Sequence, residues 1–255
     1  MSPSLAALFW DVDGTLAETE FEGHLPAFNL AFAERGEPYR WDPETYLRLL
    51  KVSGGRDRLR AWLRDQEGED PPEQRLDALV HAKQRHYTAL VRAGGLPLRP
   101  GVARLIAEAA EAGLTQAIVT ASSRPAVEAL VAGSLAPVAE AFHTWICGED
   151  VAAGKPDPEG YALALSRLAL DPARVVVLED SVGGLAAAHG AGLACVITLS
   201  RLSRCEHPSA FARARAVLHD LDGGPPPAPV AGPSDRDGRP GPATLSWLQQ
   251  LIQSP

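Results

Sequence analysis

Two short acidic groupings carry most of the chemistry this sequence can offer. Asp11 and Asp13 stand two residues apart in Asp11-Val12-Asp13-Gly14-Thr15-Leu16. On an extended backbone, residues i and i+2 face the same side, so both carboxylates can address one ligand while Gly14 lets the chain turn. Like charges this close need a cation or a proton between them. Glu179-Asp180 ends the apolar run from Val175 to Leu178, a place where unpaired buried charge is costly. A divalent ion shared with Asp11 accounts for both pairs, and magnesium, which favours carboxylate, water and phosphate oxygens in octahedral array, suits the set. The alternatives for the first pair are an acidic turn capping a helix or a calcium loop, although the spaced acids of an EF-hand are missing.

Two further groupings lie between the acidic pairs. Val119-Thr120-Ala121-Ser122-Ser123 places hydroxyls after an apolar run and before a helix, where hydroxyls and helix amides suit phosphate oxygens; a plain N-cap is the simpler reading. Lys155, in Gly154-Lys155-Pro156-Asp157-Pro158, precedes a proline-initiated helix. It can pair with both a phosphoryl group and a carboxylate, or stand as an ordinary exposed loop lysine.

The elements that must position these residues are legible as patterns. Leu5 to Trp10 is a short apolar run ending at the acidic turn, as a buried parallel strand does. From Glu18 to about Leu90 the period is helical: Phe28, Leu30, Ala31 and Phe32, then Leu76, Leu79, Val80 and Tyr87, with Asp42-Pro43 as N-cap and first helical residue. From about Leu98 strands and helices alternate, with strands at Leu114–Val119, Thr144–Cys147, Val175–Leu178 and Ala194–Thr198, and helices after Pro100, Arg124, Asp157 and Ser181. The expected fold class is α/β: a doubly wound, Rossmann-like parallel-sheet core (1–17 and 95–222) with a helical cap (18–94) inserted after the first strand. Ligands of such sheets bind at the carboxyl ends of the strands, where every polar cluster above falls. Gly223 to Pro242, rich in proline and glycine, reads as a linker or mobile tail, with a short helix from Thr244 to Ile252.

Composition narrows the function classes. A net charge of −8 over 255 residues opposes nonspecific binding to nucleic acid, while leaving room for a small phosphorylated ligand beside a few cleft cations. No apolar run is long enough to span a bilayer or serve as a secretory signal, so a cytoplasmic protein without a membrane partner is expected. Cys147, Cys195 and Cys205 are scattered, without zinc or redox spacing, and read as reduced thiols.

In chain order, Asp-x-Asp-Gly-Thr, a strand-end threonine, Lys-Pro and Glu-Asp, each beside a βα element, resemble the four motifs of the haloacid dehalogenase-like superfamily, over roughly residues 5–17 and 97–220. The resemblance implies a phosphatase. Asp11 is then the nucleophile that forms an aspartyl-phosphate, and Asp13 protonates the leaving alkoxide and later deprotonates water. Asp11, the Asp13 carbonyl and Asp180 then hold Mg2+, with Glu179 beside it in the metal shell, and Thr120 and Lys155 bind phosphoryl oxygens. Superfamily members acting on carbon–halogen bonds lack the second aspartate, which disfavours that chemistry here.

An insert directly after the first motif resembles the cap of the beta-phosphoglucomutase-like branch. Gly54-Gly55-Arg56-Asp57-Arg58 is similar to the Gly-Gly-Lys-Glu-Arg stretch of the CbbY family, as are Ala17-Glu18-Thr19-Glu20 to His24 and Ala27-Phe28-Asn29. Arginine replaces lysine at 56, and Pro26 falls inside the first cap helix. That family dephosphorylates xylulose 1,5-bisphosphate. By this resemblance Glu20, His24, Gly55, Arg56, Lys83, Ser122 and Ser123 contact substrate, Arg56 and Lys83 clamping a second phosphate unless they are only solvated helix charges. A monomer is expected. A phosphosugar mutase shares every motif, and a noncatalytic phosphometabolite-binding module is the reading from another class.

Overall fold

The computed structural model describes residues 4–52, 54–94, 96–223 and 241–253; residues 224–240 of the expected tail lie outside them. The chain forms two compact units, one of residues 1–18 with 97–255 and one of residues 19–96.

In the first unit, β1 (Ala7–Trp10) is fully buried, as expected of a continuous apolar run covered on both faces. The second unit follows, with a short π-helix (Glu20–His24), α1 (Leu25–Glu34), α2 (Pro43–Leu49), α3 (Gly55–Glu67) and α4 (Glu73–Arg92). The chain then returns through α5 (Val102–Glu111), β2 (Thr115–Val119), α6 (Arg124–Ala132), β3 (Thr144–Ile146), α7 (Glu159–Leu168), β4 (Val175–Glu179), α8 (Val182–Gly190), β5 (Ala194–Thr198), β6 (Ala216–Leu218) and α9 (Leu245–Gln253).

The six strands form one sheet in the order β3-β2-β1-β4-β5-β6, with every neighbouring pair parallel. This is the expected α/β class. β1 lies in the middle, with β2 and β4 on either side, so the chain's direction of winding reverses beside it and the loop after β1 opens at a switch point. Alternate residues sort the two faces. Phe9, Val119, Val177 and Ile197 pack with Tyr161, Leu165, Leu185 and Ala188 of α7 and α8. On the other face, Gln116 is buried in β2, and its amide accepts from Trp10 Nε1 at 3.0 Å and donates to the Ile106 carbonyl of α5 at 2.9 Å. A polar residue is tolerated there because both of its ends are partnered.

The helical unit has its own core of Leu25, Phe28, Phe32, Trp41, Tyr46, Leu59, Leu63, Leu76 and Leu79. Asp42 caps α2 as the sequence implies, its side chain accepting from Thr45 N at 2.7 Å. Two details differ from the sequence reading. Leu30 is 42% exposed; it lies two residues, about 200° of helix, from Phe28 and Phe32 and so faces away from their stripe. Pro26 falls in the first turn of α1, directly after the π-helix, whose closing bond runs from Leu25 N to the Glu20 carbonyl. A wide turn placed where proline cannot donate lets the helical run continue through it. β6 (Ala216–Leu218) is a third difference, a strand that the sequence reading does not include.

Candidate active site

Each strand next to the switch point ends on a polar side chain. β1 runs into Asp11, whose N–H donates to the Leu178 carbonyl of β4 at 3.0 Å. β2 runs into Thr120, tied to the Ile146 carbonyl of β3 at 3.0 Å. β4 ends on Glu179 and passes to Asp180. The backbone ladder itself therefore delivers the side chains that the motifs singled out.

Lys155 joins them. Its ammonium donates to Asp11 Oδ1 and Glu179 Oε1, both at 2.6 Å, and to the Val119 carbonyl at 2.9 Å. This uses all three of its protons. Glu179 has no exposed surface. Besides Lys155, its Oε1 accepts from the Tyr161 hydroxyl at 3.0 Å, and its Oε2 from the Asp180 and Ser181 amides and the Ser181 hydroxyl at 3.0 to 3.2 Å. Five donors leave it little coordinating capacity, so its firm role in the structure is to anchor Lys155. Gly184 makes room for it, since a Cβ there would lie 1.8 Å from Glu179 Oε1.

Asp11, Glu179 and Asp180 each offer an oxygen within 4.8 Å of the others, and all three are buried. Burial raises Asp11 to about 7; Lys155 opposes the shift, while Glu179 and Asp13 add to it. Burial also lifts Asp180 well above the carboxylate range, reinforced by Glu179 and Asp11 and opposed by Ser200 and Arg99. Burial alone would lower Lys155, but Asp11 and Glu179 outweigh it and keep the ammonium protonated. Asp11, Glu179 and Asp180 cluster where Lys155 bonds only the first two, and a hard divalent cation with oxygen ligands fits such a gathering of buried acids.

Asp13 accepts a hydrogen bond from the Ser122 hydroxyl. The Thr120 hydroxyl accepts from Ser122 N at 3.0 Å, so Thr120, Ser122 and Asp13 form one chain of contacts. Ser123 is the N-cap residue of α6 and makes no side-chain cap bond.

The helical unit holds the remaining candidates. The Tyr46 hydroxyl donates to Glu20 Oε2 at 2.5 Å and accepts from Arg58 Nη1 at 3.1 Å. Lys83 Nζ donates to His24 Nδ1 at 3.0 Å, and the His24 ring stacks on Tyr87 with centroids 4.2 Å apart. Gly55 opens α3. Arg56 bonds Asp77 Oδ1 at 2.5 Å and Glu73 Oε2 at 2.7 Å, so its guanidinium is committed to acids of α4 in this structure. Tyr46, Arg58 and Tyr161 escaped the sequence reading; Arg58 lies inside the Gly-Gly stretch, but nothing marks its burial until the helices pack.

Comparison with known proteins identifies the family. A model of the haloacid dehalogenase-like hydrolase family matches residues 5–192. The chain is 43% identical over 215 residues to Protein CbbY of Cereibacter sphaeroides, covering 84% of this chain and 91% of that protein. It is 31% identical over 189 residues to a phosphorylated carbohydrates phosphatase of Thermotoga maritima, covering 74% and 82%. A crystal structure of a CbbY variant from Rhodobacter sphaeroides in complex with xylulose-(1,5)bisphosphate superposes with a TM-score of 0.76 at 42% identity, covering 85% of this chain and 94% of that one. On its sequence, its sheet and its strand-end acids, the chain belongs to the haloacid dehalogenase-like hydrolase family.

Proposed function

We propose that the protein is a phosphatase that hydrolyses a small phosphorylated sugar through a covalent intermediate on Asp11, with a sugar bisphosphate such as xylulose 1,5-bisphosphate as its substrate. The observation that carries the reading is Lys155 held at 2.6 Å from both Asp11 and Glu179. That contact keeps a carboxylate oxygen and a cation side by side at the end of β1. The CbbY and phosphorylated carbohydrates phosphatase relatives supply the substrate class.

Asp11, Asp180 and the carbonyl of Asp13 would hold a magnesium ion, with Glu179 beside it, and the ion supplies neutralisation of the negative charge on the transferring group. Asp11 attacks phosphorus, and the bond from phosphorus to the sugar oxygen breaks. Asp13 gives its proton to that oxygen. Water then attacks the aspartyl-phosphate, Asp13 takes the water's proton, and free phosphate leaves with Asp11 restored. Thr120 holds one phosphoryl oxygen, and Lys155 another by exchanging one of the three acceptors it now serves, where charge spreads in a loose transition state. Ser122, bonded to Asp13, orients the acid, and Ser123 lies next to it in the chain.

In the helical unit, Glu20, His24, Gly55, Arg56 and Lys83 are proposed as the sugar-recognition set. To reach a second phosphate Arg56 would exchange a bond to Glu73 or Asp77, and Lys83 its bond to His24. The test is a screen of phosphate release over sugar mono- and bisphosphates with magnesium present. The reading expects steady release, fastest with a bisphosphate; phosphoryl exchange between sugar positions without net release would identify a mutase instead.

A further inference from the structure

Arg99 is 93% buried, with 7% of its surface exposed, an unusual place for a guanidinium, and the chemistry above leaves it unused. Its Nη1 donates to the Gly14 carbonyl and, at 3.0 Å each, to the carbonyl and hydroxyl of Thr198. Its Nη2 donates to the Leu199 carbonyl at 2.8 Å and the His219 carbonyl at 3.1 Å. Nε lies 3.5 Å from a carboxylate oxygen of Glu18. One planar fork thus ties the loop after β1 to the ends of β5 and β6. The backbone beside it is fixed too: Arg99 N donates to the Leu16 carbonyl at 2.9 Å, and Ala17 and Leu98 form an antiparallel bridge.

Gly14 is the point at which these ties reach the reaction centre. Its φ is +83°, and a Cβ there would lie 2.3 Å from Asp180 Oδ2 and 2.9 Å from Ser200 Cβ. The Gly14 backbone therefore lies directly against Asp180, while its carbonyl is gripped by Arg99. Ser200, whose Cβ also lies against Gly14 beside Asp180, directly follows Leu199, another of Arg99's acceptors. Arg99 therefore touches the turn that carries Asp11 and Asp13 and also the strand end that backs Asp180.

We propose that Arg99 is a positioning residue for the reaction: its guanidinium presses the Gly14 turn against Asp180 and so sets the spacing between the Asp11–Asp13 loop and the acid at the end of β4. A plug that merely satisfies carbonyl groups would govern how much protein folds. A positioning residue also governs the turnover of the protein that is folded. Lysine keeps the charge but replaces the fork with a point, and cannot serve Gly14, Leu199 and His219 together.

The proposal rests on the phosphatase reading, and the test separates the two. Wild type, Arg99→Lys and Arg99→Ala are assayed with p-nitrophenyl phosphate and magnesium, with the folded fraction of each measured by thermal melting. The expected result is a fall in kcat per folded molecule of at least about tenfold, with KM within about threefold of wild type. Added guanidinium should partly restore kcat in Arg99→Ala, and ammonium should not. Should neither variant fold, Glu18→Gln decides: it loosens one edge of the guanidinium and leaves the carbonyl bonds, and kcat is expected to fall by about threefold at an unchanged melting temperature. Unchanged kcat per folded molecule in the folded variants overturns the proposal alone. A wild-type protein that turns over neither p-nitrophenyl phosphate nor any sugar phosphate of the screen overturns it together with the phosphatase reading.

Discussion

The ammonium of Lys155 meets the carboxylate of Glu179 at 2.6 Å, in a place where Glu179 has no exposed surface. The pair holds Lys155 from the end of β4, while its other acid, Asp11, follows β1.

Replacing Glu179 by glutamine keeps its volume but turns one acceptor oxygen into a donor facing donors, since both carboxylate oxygens already accept hydrogen bonds. Breaking a buried pair in this way costs about 3–5 kcal/mol. Denaturant unfolding of Glu179→Gln should show a loss of that order together with a severe loss of phosphate release; a loss below about 1 kcal/mol would mean that the pair is solvated in practice.

Gly183 and Gly184 are neighbours at the start of α8 with opposite surroundings. A Cβ on Gly183 meets nothing within 4 Å, whereas one on Gly184 would lie 1.8 Å from Glu179. Gly183→Ala should be neutral or stabilise by up to about 1 kcal/mol. Gly184→Ala should destabilise by at least about 1–3 kcal/mol and impair turnover, through displacement of Glu179 and with it Lys155. Thermal melts and phosphate release on the two variants make the comparison directly.

The raised Asp11, at about 7, and the raised Asp180 give magnesium binding a definite sign with pH. Acids whose folded values lie above their unfolded ones favour the fold at low pH, and that contribution is lost as pH rises through the folded value. A cation competing with those protons offsets the loss, so binding should strengthen between about pH 5 and pH 8 and release protons. Melting temperatures with and without magnesium should therefore separate more at pH 8 than at pH 5, whereas equal separation would place the ion elsewhere.

The three thiols should react unequally. Cys147 and Cys195 are buried and Cys205 is exposed; burial pushes Cys147 up to about 11 and raises Cys195 as well. A thiol-specific reagent at neutral pH should modify one cysteine in the native protein and all three after denaturation. Rapid labelling of a second thiol in the folded protein would show that this part of the core opens readily.

The parts of the site legible in the sequence are those that follow a strand directly. Asp11, Thr120, Glu179 and Asp180 stand at the ends of apolar runs, and period alone locates the ends. Lys155 is legible as a partner for a nucleophilic carboxylate, and Asp11 is that partner; its bonds to Glu179 and to the Val119 carbonyl are not, because no spacing marks them before the chain folds. Tyr161 and Arg99 gave no signal. Tyr161 looks like one more apolar residue of α7, and Arg99 like a loop cation, until packing brings Glu179 to the one and five oxygen acceptors to the other. Glu179 was expected beside a metal; its five donors, from groups far apart and near, could be counted only in the folded chain.

The central claim, that Asp11 carries the phosphoryl group during turnover, is tested most directly by stopping the reaction in its steady state with borohydride, which reduces an acyl-phosphate, and mapping the modified peptide by mass spectrometry. The account predicts reduction at Asp11 in the wild-type protein and none in Asp11→Asn, which should also be inactive while remaining folded. Turnover with no trapped residue, or with the modification on another side chain, would contradict it.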